Sequence, residues 1–147
     1  MEIRPLSETY AVSPQITAED ASAIKAAGFD TVICNRPDGE IPADLHVEAL
    51  RPAMEAAGLK LVVNPMPGGG LTMEHIEAQR DAIEAGERVL AYCASGNRSS
   101  ILWALALAGT RPTEELVAAG AQYGYQVPQF RDLIDSLAQQ GGAETGA

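Results

Sequence analysis

The sequence predicts an α/β fold, a single three-layer domain in which helices flank a largely parallel central sheet. Short apolar segments typical of buried strands alternate with segments of helical periodicity, which is the order expected of a parallel sheet. Glycines punctuate the boundaries between these segments. The chain has 147 residues, enough for one core without disulfides or metals. We expect a domain over residues 1–140 and a flexible tail over residues 141–147.

Four segments are predicted to be strands, because each is short, largely apolar and followed by turn-forming residues. They comprise residues 10–13, 31–34, 59–63 and 88–92. The helical patterns cover residues 17–28, 44–57, 72–85, 98–108 and 128–138, with one more helix starting at Pro112. Within the second of these, Pro52 predicts either a kink or a helix in two pieces. Tyr123 and Tyr125 are expected to pack against the last helices rather than to bind a substrate.

Composition and charge argue against several classes of partner. Twenty acidic and ten basic residues give a net charge of −10 at pH 7, which disfavours nucleic acid and anionic membranes. Cys34 and Cys93 lie at the ends of different predicted strands, so a disulfide is not expected and a reducing compartment is favoured. The sequence has no signal-peptide pattern and no apolar run long enough to span a bilayer. We expect a cytoplasmic protein, and the sequence does not predict its oligomeric state.

The segment from Cys93 to Arg98 is the strongest functional signal. Cys93 follows a predicted strand, and Arg98 opens the predicted helix after it. A helix N-terminus stabilises a thiolate through its unpaired backbone N–H groups, and the Arg98 guanidinium can hold two oxygens of a phosphate-like group. We therefore predict that Cys93 is a nucleophile and that Arg98 binds an anion beside it. The other residues predicted to contact the anion are Ala94, Ser95, Gly96, Asn97 and Ser99.

Further candidates lie in loops that follow the strands, where ligands bind in doubly wound sheets. Arg36 is predicted either to bind the anion or to be an ordinary surface residue. Asp38 lies in the same loop and is followed by glycine, a pair that is typical of a turn. His46 and His75 have no cysteine or carboxylate at ligand spacing, so neither a metal site nor a cofactor is expected.

Three separated motifs carry a family resemblance. They comprise residues 92–99 with 102–105, residues 15–17 with 31–40, and residues 70–72. Together they resemble the family called beta-lactamase hydrolase-like protein, phosphatase-like domain, over residues 1–110. The resemblance implies a fold similar to that of the dual-specificity protein tyrosine phosphatases, and some members of the family are described as sulfurtransferases.

The sequence departs from the pattern of those phosphatases at two points. Four residues, 94–97, separate Cys93 from Arg98, one fewer than in the phosphatases and as many as in rhodanese-type sulfurtransferases. Tyr92 stands where phosphatases commonly have a histidine before the cysteine. The resemblance therefore indicates the nucleophile more clearly than the reaction.

The resemblance to phosphatases also implies an aspartate that protonates the leaving oxygen. The loop in which they carry it corresponds to residues 64–71, and this segment contains no Asp or Glu. Asp38 is the expected replacement, with Glu40 behind it.

Three functions are compatible with these residues. The favoured one is a cysteine-dependent phosphatase, in which the Cys93 thiolate attacks a small anionic or phosphorylated substrate. The second is a rhodanese-like sulfurtransferase that carries a persulfide on Cys93 and needs no proton donor. The third is an anion-binding domain without catalytic activity.

Overall fold

The computed structural model describes residues 2–67 and 70–145, with side chains described as far as Gln140. Its strands are β1 (Arg4–Pro5), β2 (Tyr10–Ser13), β3 (Thr31–Cys34), β4 (Lys60–Val63) and β5 (Val89–Tyr92). They form one sheet in the order β1-β2-β5-β3-β4. β1 pairs antiparallel with β2, and the other pairings are parallel. The prediction of a largely parallel central sheet is confirmed.

Helices cover both faces of this sheet. Within the described residues they are α1 (Ala21–Ala26), α2 (Val47–Ala56), α3 (Met73–Ala85), α4 (Asn97–Ala106), α5 (Thr113–Ala121) and α6 (Arg131–Thr145). Short 3-10 turns precede several of them, at Ala18–Asp20, Asp38–Glu40, Ala43–Leu45 and Val127–Phe130. Of the helices in the described ranges, none combines the length and the apolar character that a bilayer crossing requires.

Buried side chains form a separate core cluster on each face of the sheet. In β5, Val89 and Ala91 face the cluster that includes α3 to α6, while Leu90 and Tyr92 face the cluster of α1 and α2. This alternation reflects the two-residue period of a strand whose two faces are both covered. The three-layer arrangement predicted from the sequence is thereby confirmed.

Helix α4 lies in the interior of the larger cluster. Each of its residues from Ser99 to Ala106 is buried, and Trp103 stacks on Tyr10 of β2 with ring centroids 6.0 Å apart. A helix that is apolar around most of its circumference has to be surrounded by other elements. The start of α4, which carries Arg98, is therefore anchored in the core.

The structure decides one alternative at Pro52 and differs from the sequence prediction at both ends of the chain. Pro52 lies within the single helix α2, so a helix in two pieces is excluded and the predicted kink is the alternative that remains. β1 was not predicted, since two residues that include a proline have no detectable period. Helix α6 continues to Thr145 instead of ending near residue 138. Of the predicted tail, residues 146 and 147 lie outside the described ranges, and its flexibility stays a prediction.

Candidate active site

The Cys93 loop, residues 93–98, leads from the end of β5 into the start of α4. Cys93 is fully buried, and its sulfur accepts the backbone N–H of Gly96 at 3.1 Å. Gly96 has a φ of +100°, a left-handed conformation that glycine adopts without strain. This turn directs an amide at the sulfur, which is the arrangement predicted for a loop that stabilises a thiolate.

The outer edge of the loop is open to solvent. Ala94 and Ser95 are exposed, whereas Asn97 and Arg98 are half-buried. The Ser95 hydroxyl accepts the backbone N–H of Asn97 at 3.2 Å and so satisfies one of the amides at the start of α4. The loop therefore has an exposed outer edge, with Cys93 buried beneath it.

The Arg98 guanidinium is held by two neighbouring segments. Its Nη1 donates to Glu40 Oε2 at 2.8 Å and to the Met66 carbonyl at 2.9 Å, and its Nη2 donates to Glu40 Oε1 at 2.8 Å. The hydrogen bonds with Glu40, opposed by partial burial and assisted by the adjacent Cys93, raise the pKa of Arg98. Nε–H and the second Nη2 hydrogen have no oxygen acceptor among the described residues. These two hydrogens lie along one edge of the guanidinium, so Arg98 can still bind two oxygens of an anion.

Glu40 is the acidic side chain that contacts Arg98. Its Oε1 also accepts the Arg36 Nε–H at 3.2 Å. The Arg98 hydrogen bonds, opposed by partial burial and assisted by Arg36, lower the pKa of the Glu40 carboxyl. Glu40 is therefore ionised at neutral pH, where it orients Arg98 and does not supply a proton.

We expect the Glu40→Gln substitution to destabilise the domain in a pH-dependent way. Because the folded-state pKa of Glu40 lies below its ordinary value of 4.5, its stabilising contribution is complete above that value and disappears as the pH falls through the folded pKa. The Glu40 side chain is 34% exposed, and solvent screening keeps the difference below about 1 kcal/mol. Urea unfolding of both proteins between pH 7 and pH 3 measures it, and a difference that does not shrink with acid contradicts the assignment.

Arg36 and Asp38 lie on the same segment as Glu40 but have other partners. Arg36 donates to Glu40 and, through Nη1, to Gln15 Oε1 at 3.2 Å. Asp38 Oδ1 accepts the backbone N–H of Val47 at 3.0 Å, so it caps the start of α2. The structure thus brings Glu40 into contact with Arg98. Asp38 instead contacts the start of α2, and Arg36 contacts Glu40 and Gln15.

Ser99, predicted from the sequence to contact the anion, has a different position. It is fully buried, and its hydroxyl donates to Asn35 Oδ1 at 2.9 Å. Asn35 directly follows β3, so this bond ties the first turn of α4 to the end of a neighbouring strand. With its hydroxyl engaged beneath the loop, Ser99 supports the site and does not face a ligand.

Ser99 belongs to a buried network of polar side chains. Asn35 Nδ2 and Asn64 Nδ2 each donate to Gln79 Oε1 at 2.8 Å, and Gln79 Nε2 donates to the Tyr10 hydroxyl at 3.0 Å. The Tyr10 hydroxyl then donates to the Ser99 carbonyl at 2.9 Å. A signal for this network exists in the sequence, because asparagines follow two predicted strands and a glutamine lies on the apolar face of a helix.

On its other flank the Cys93 loop contacts the segment before α6. The Tyr125 hydroxyl donates to the Ser95 carbonyl at 2.8 Å, and Arg4 Nη1 donates to the same hydroxyl at 2.8 Å. The Asn97 Oδ1 accepts the Gln126 backbone N–H at 2.8 Å. A groove of about 400 Å³ adjoins this flank; it is lined by Arg4, Ser95, Asn97, Tyr123, Gly124, Tyr125 and Gln126. Sequence reasoning missed the contact of Tyr125 with the loop.

The second cysteine lies apart from this chemistry. Cys34 is buried at the end of β3, and its thiol donates to the Arg36 carbonyl at 3.3 Å. Burial raises the pKa of the Cys34 thiol, as is typical of an unreactive buried cysteine. In the part of the chain that the structure describes, no three His, Cys, Asp or Glu side chains are grouped as metal ligands.

The central strand of a largely parallel sheet thus leads into the turn with Cys93 and Arg98. The comparisons with known proteins identify this fold as a phosphatase-like α/β domain. The chain belongs to the family described as beta-lactamase hydrolase-like protein, phosphatase-like domain, which matches residues 2–110. A candidate phosphatase from Neisseria meningitidis is 32% identical, with a TM-score of 0.79 over 93% of this chain and 99% of its own. TpbA from P. aeruginosa has a TM-score of 0.66 at 17% identity, over 94% and 89% of the two chains, and shares the fold.

The curated relatives with similar sequences are much longer proteins. The beta-lactamase hydrolase-like protein of Xylella fastidiosa strain Temecula1 is 32% identical over 130 residues, which are 86% of this chain and 30% of that protein. Its counterpart in Agrobacterium fabrum is 30% identical over 125 residues, which are 83% of this chain and 29% of that protein. The chain thus spans less than a third of the length of these curated relatives.

Proposed function

We propose that this domain hydrolyses phosphomonoesters with Cys93 as the nucleophile. The observation that carries the proposal is the pairing of two groups: Cys93 Sγ receives the Gly96 amide at 3.1 Å, and the neighbouring Arg98 keeps two hydrogens on one edge for an anion. A phosphoryl group fits these donors with two of its oxygens. Membership of a phosphatase-like family and the fold of phosphatases support the same class of reaction.

In the proposed mechanism the Cys93 thiolate attacks phosphorus, and a sulfur–phosphorus bond forms as the bond to the leaving oxygen breaks. Arg98 and the loop amides hold the other oxygens while their charge increases. Water then attacks the phosphocysteine, which releases inorganic phosphate and restores the thiolate. Because the reaction needs a reduced thiol, and both cysteines are free, we keep the cytoplasm as the proposed compartment.

The proposed substrates are small phosphorylated molecules or phosphorylated side chains. The fold neighbour TpbA was crystallised in complex with phosphotyrosine, and phosphotyrosine is therefore a natural probe for this domain. With a net charge of −10, the protein attracts a phosphate through local donors and not through its overall field. The activity of the longer relatives as whole proteins lies beyond this proposal.

Loss of the nucleophile provides the central test. We expect Cys93→Ser to lower kcat/KM for p-nitrophenyl phosphate by at least about a thousandfold, since the hydroxyl is a far weaker nucleophile. Cys34→Ser is the matched control, because Cys34 is buried at the end of a neighbouring strand, and it should retain turnover. Equal rates for wild type and Cys93→Ser would refute the phosphatase assignment.

Asp38 is the proposed proton donor for the leaving oxygen. It lies two residues from Glu40, and its Oδ2 accepts no hydrogen bond from the described residues, since the capping bond to Val47 uses Oδ1. The alternative is that Asp38 only caps α2. Asparagine distinguishes the two roles, because it keeps the capping oxygen and removes the acid.

For Asp38→Asn we expect kcat for phenyl phosphate to fall by about a hundredfold, since its phenolate leaving group needs a proton. With p-nitrophenyl phosphate, whose leaving group departs as an anion, kcat should change by less than about threefold. Thermal unfolding of the variant checks that the cap is intact. If phenyl phosphate turnover is also unchanged, Asp38 has a capping role and the proton comes from elsewhere.

A second candidate function is sulfur transfer. Four residues separate Cys93 from Arg98, as in rhodanese-type sulfurtransferases, and sulfur transfer does not require a proton donor. In this reaction the Cys93 thiolate attacks the outer sulfur of thiosulfate, and the sulfur–sulfur bond of thiosulfate breaks with release of sulfite. Cys93 then carries a persulfide, which adds the mass of one sulfur atom. Mass spectrometry of wild type and Cys93→Ser detects this adduct. If thiosulfate labels Cys93 and phosphatase turnover is absent, sulfur transfer replaces phosphate hydrolysis as the proposed function. If both activities are absent, the remaining function is that of an anion-binding domain without catalysis.

A further inference from the structure

Tyr125 lies between strand β1 and the Cys93 loop. Its hydroxyl donates to the Ser95 carbonyl at 2.8 Å and accepts a hydrogen bond from Arg4 Nη1 at 2.8 Å. A phenol has a single proton, and Arg4 supplies only hydrogens, so the proton of Tyr125 is directed to Ser95. Burial raises the pKa of Tyr125, so its hydroxyl keeps that proton at neutral pH.

The Ser95 carbonyl and the Gly96 N–H are the two ends of one planar peptide group. Its oxygen end is held by Tyr125 at 2.8 Å, and its N–H end points at Cys93 Sγ at 3.1 Å. Glycine tolerates either sign of φ, so this peptide could rotate at little cost and turn its N–H away from the sulfur. The phenol on the oxygen end opposes that rotation.

Packing adds to the hydrogen bond. A Cβ built on Gly96 would lie 2.3 Å from the Tyr125 hydroxyl and 2.9 Å from its Cζ, so the ring edge is in direct contact with the glycine. The Tyr125 residue as a whole is 7% exposed. No other side chain in the described ranges donates a hydrogen bond to the Ser95 carbonyl.

We propose that Tyr125 is a positioning residue, which locks the Ser95–Gly96 peptide with its N–H facing Cys93 and with Arg4 fixing the direction of the phenol proton. The inference deepens the proposed phosphatase function and rests on it for the kinetic part of its test. If this peptide rotated, its carbonyl oxygen would turn toward Cys93 and repel an anion bound there, so the inference also applies to anion affinity.

Tyr123 offers a matched control in the same segment. Its ring centroid is 6.0 Å from that of Tyr125, and its hydroxyl donates to the Pro5 carbonyl of β1 at 2.8 Å. Tyr123→Phe and Tyr125→Phe each remove one phenol-to-carbonyl bond between this segment and its surroundings. Only the second removes a bond to the Cys93 loop.

The experiment measures kcat and KM for p-nitrophenyl phosphate, tungstate affinity by calorimetry, and thermal unfolding for wild type and both variants. We expect Tyr125→Phe to lower kcat and tungstate affinity by about tenfold each, while KM changes by less than about twofold. Tyr123→Phe should leave kcat and tungstate affinity within about twofold of wild type. Its loss of thermal stability should be smaller than that of Tyr125→Phe, which also removes the bond from Arg4.

Equal kcat values and equal tungstate affinities for the two variants would overturn the inference and assign Tyr125 a purely structural role. Failure of the proposed phosphatase function is a separate result. It is recognised when wild type and Cys93→Ser hydrolyse p-nitrophenyl phosphate at the same rate. In that case the tungstate measurement decides on Tyr125 alone, since it requires an anion-binding loop and no turnover.

Discussion

Replacing Arg98 with lysine is expected to lower kcat/KM for p-nitrophenyl phosphate by about a thousandfold. Lysine retains the positive charge and can keep an ion pair with Glu40, but it has no planar edge that holds two phosphoryl oxygens. The loss should appear mainly in kcat, because the interaction is strongest with the charge that develops in the transition state. Steady-state kinetics on wild type and variant measure it.

Arg36→Lys is the control for the Arg98 substitution, since Arg36 contacts the same Glu40 carboxylate through its Nε–H. We expect it to change kcat/KM by less than about fivefold. If Arg98→Lys keeps a tenth or more of the wild-type kcat/KM, a positive charge at this position is sufficient for catalysis, and the proposed contact of Arg98 with two phosphoryl oxygens is wrong.

Gly96→Ala should both destabilise the domain and remove most of its activity. The left-handed φ of +100° costs an alanine about 1–2 kcal/mol. In addition, its Cβ would lie 2.3 Å from the Tyr125 hydroxyl, which must move and give up its bonds to Arg4 and Ser95, at about 1 kcal/mol each. We expect a total loss of at least about 3 kcal/mol and a fall in kcat of more than about a hundredfold.

Gly124→Ala separates the two contributions to that loss. Gly124 also has a left-handed φ, of +82°, but a Cβ there would meet no described atom within 4 Å. It should therefore lose only about 1–2 kcal/mol in urea unfolding. If Gly96→Ala lowers the free energy of unfolding by no more than Gly124→Ala does, the close contact between residue 96 and Tyr125 does not contribute to stability.

The sequence predicted those parts of the fold and site that depend on local pattern. Each of the four parallel strands, and the turn with Cys93 and Arg98, was predicted from a segment of fewer than ten consecutive residues. The partners of that turn come from distant positions. Arg98 and Glu40 are 58 residues apart, Ser99 and Asn35 are 64 apart, and Tyr125 and Ser95 are 30 apart. Local periodicity contains no information about which distant side chains the topology brings together.

The choice between Asp38 and Glu40 illustrates the same limit. Both carboxylates lie in one 3-10 turn, Asp38–Glu40. The resemblance to phosphatases, which use an aspartate as the acid, favours Asp38. The turn directs the first carboxylate to the start of α2 and the second to Arg98. Side chains two residues apart in a 3-10 helix differ in direction by more than half a revolution. The sequence does not indicate where the turn begins, so it does not predict which carboxylate faces Arg98.

The buried amide network has a consequence for the thermodynamics of ligand binding. It joins the residues that follow β3 and β4 to the first turn of α4, and these segments carry Glu40, Met66 and Arg98. Because their relative positions are set by hydrogen bonds in the core, an arriving anion does not have to order them. The entropy lost on binding is then mostly that of the ligand itself, and the Arg98 donors need little reorientation as the reaction proceeds.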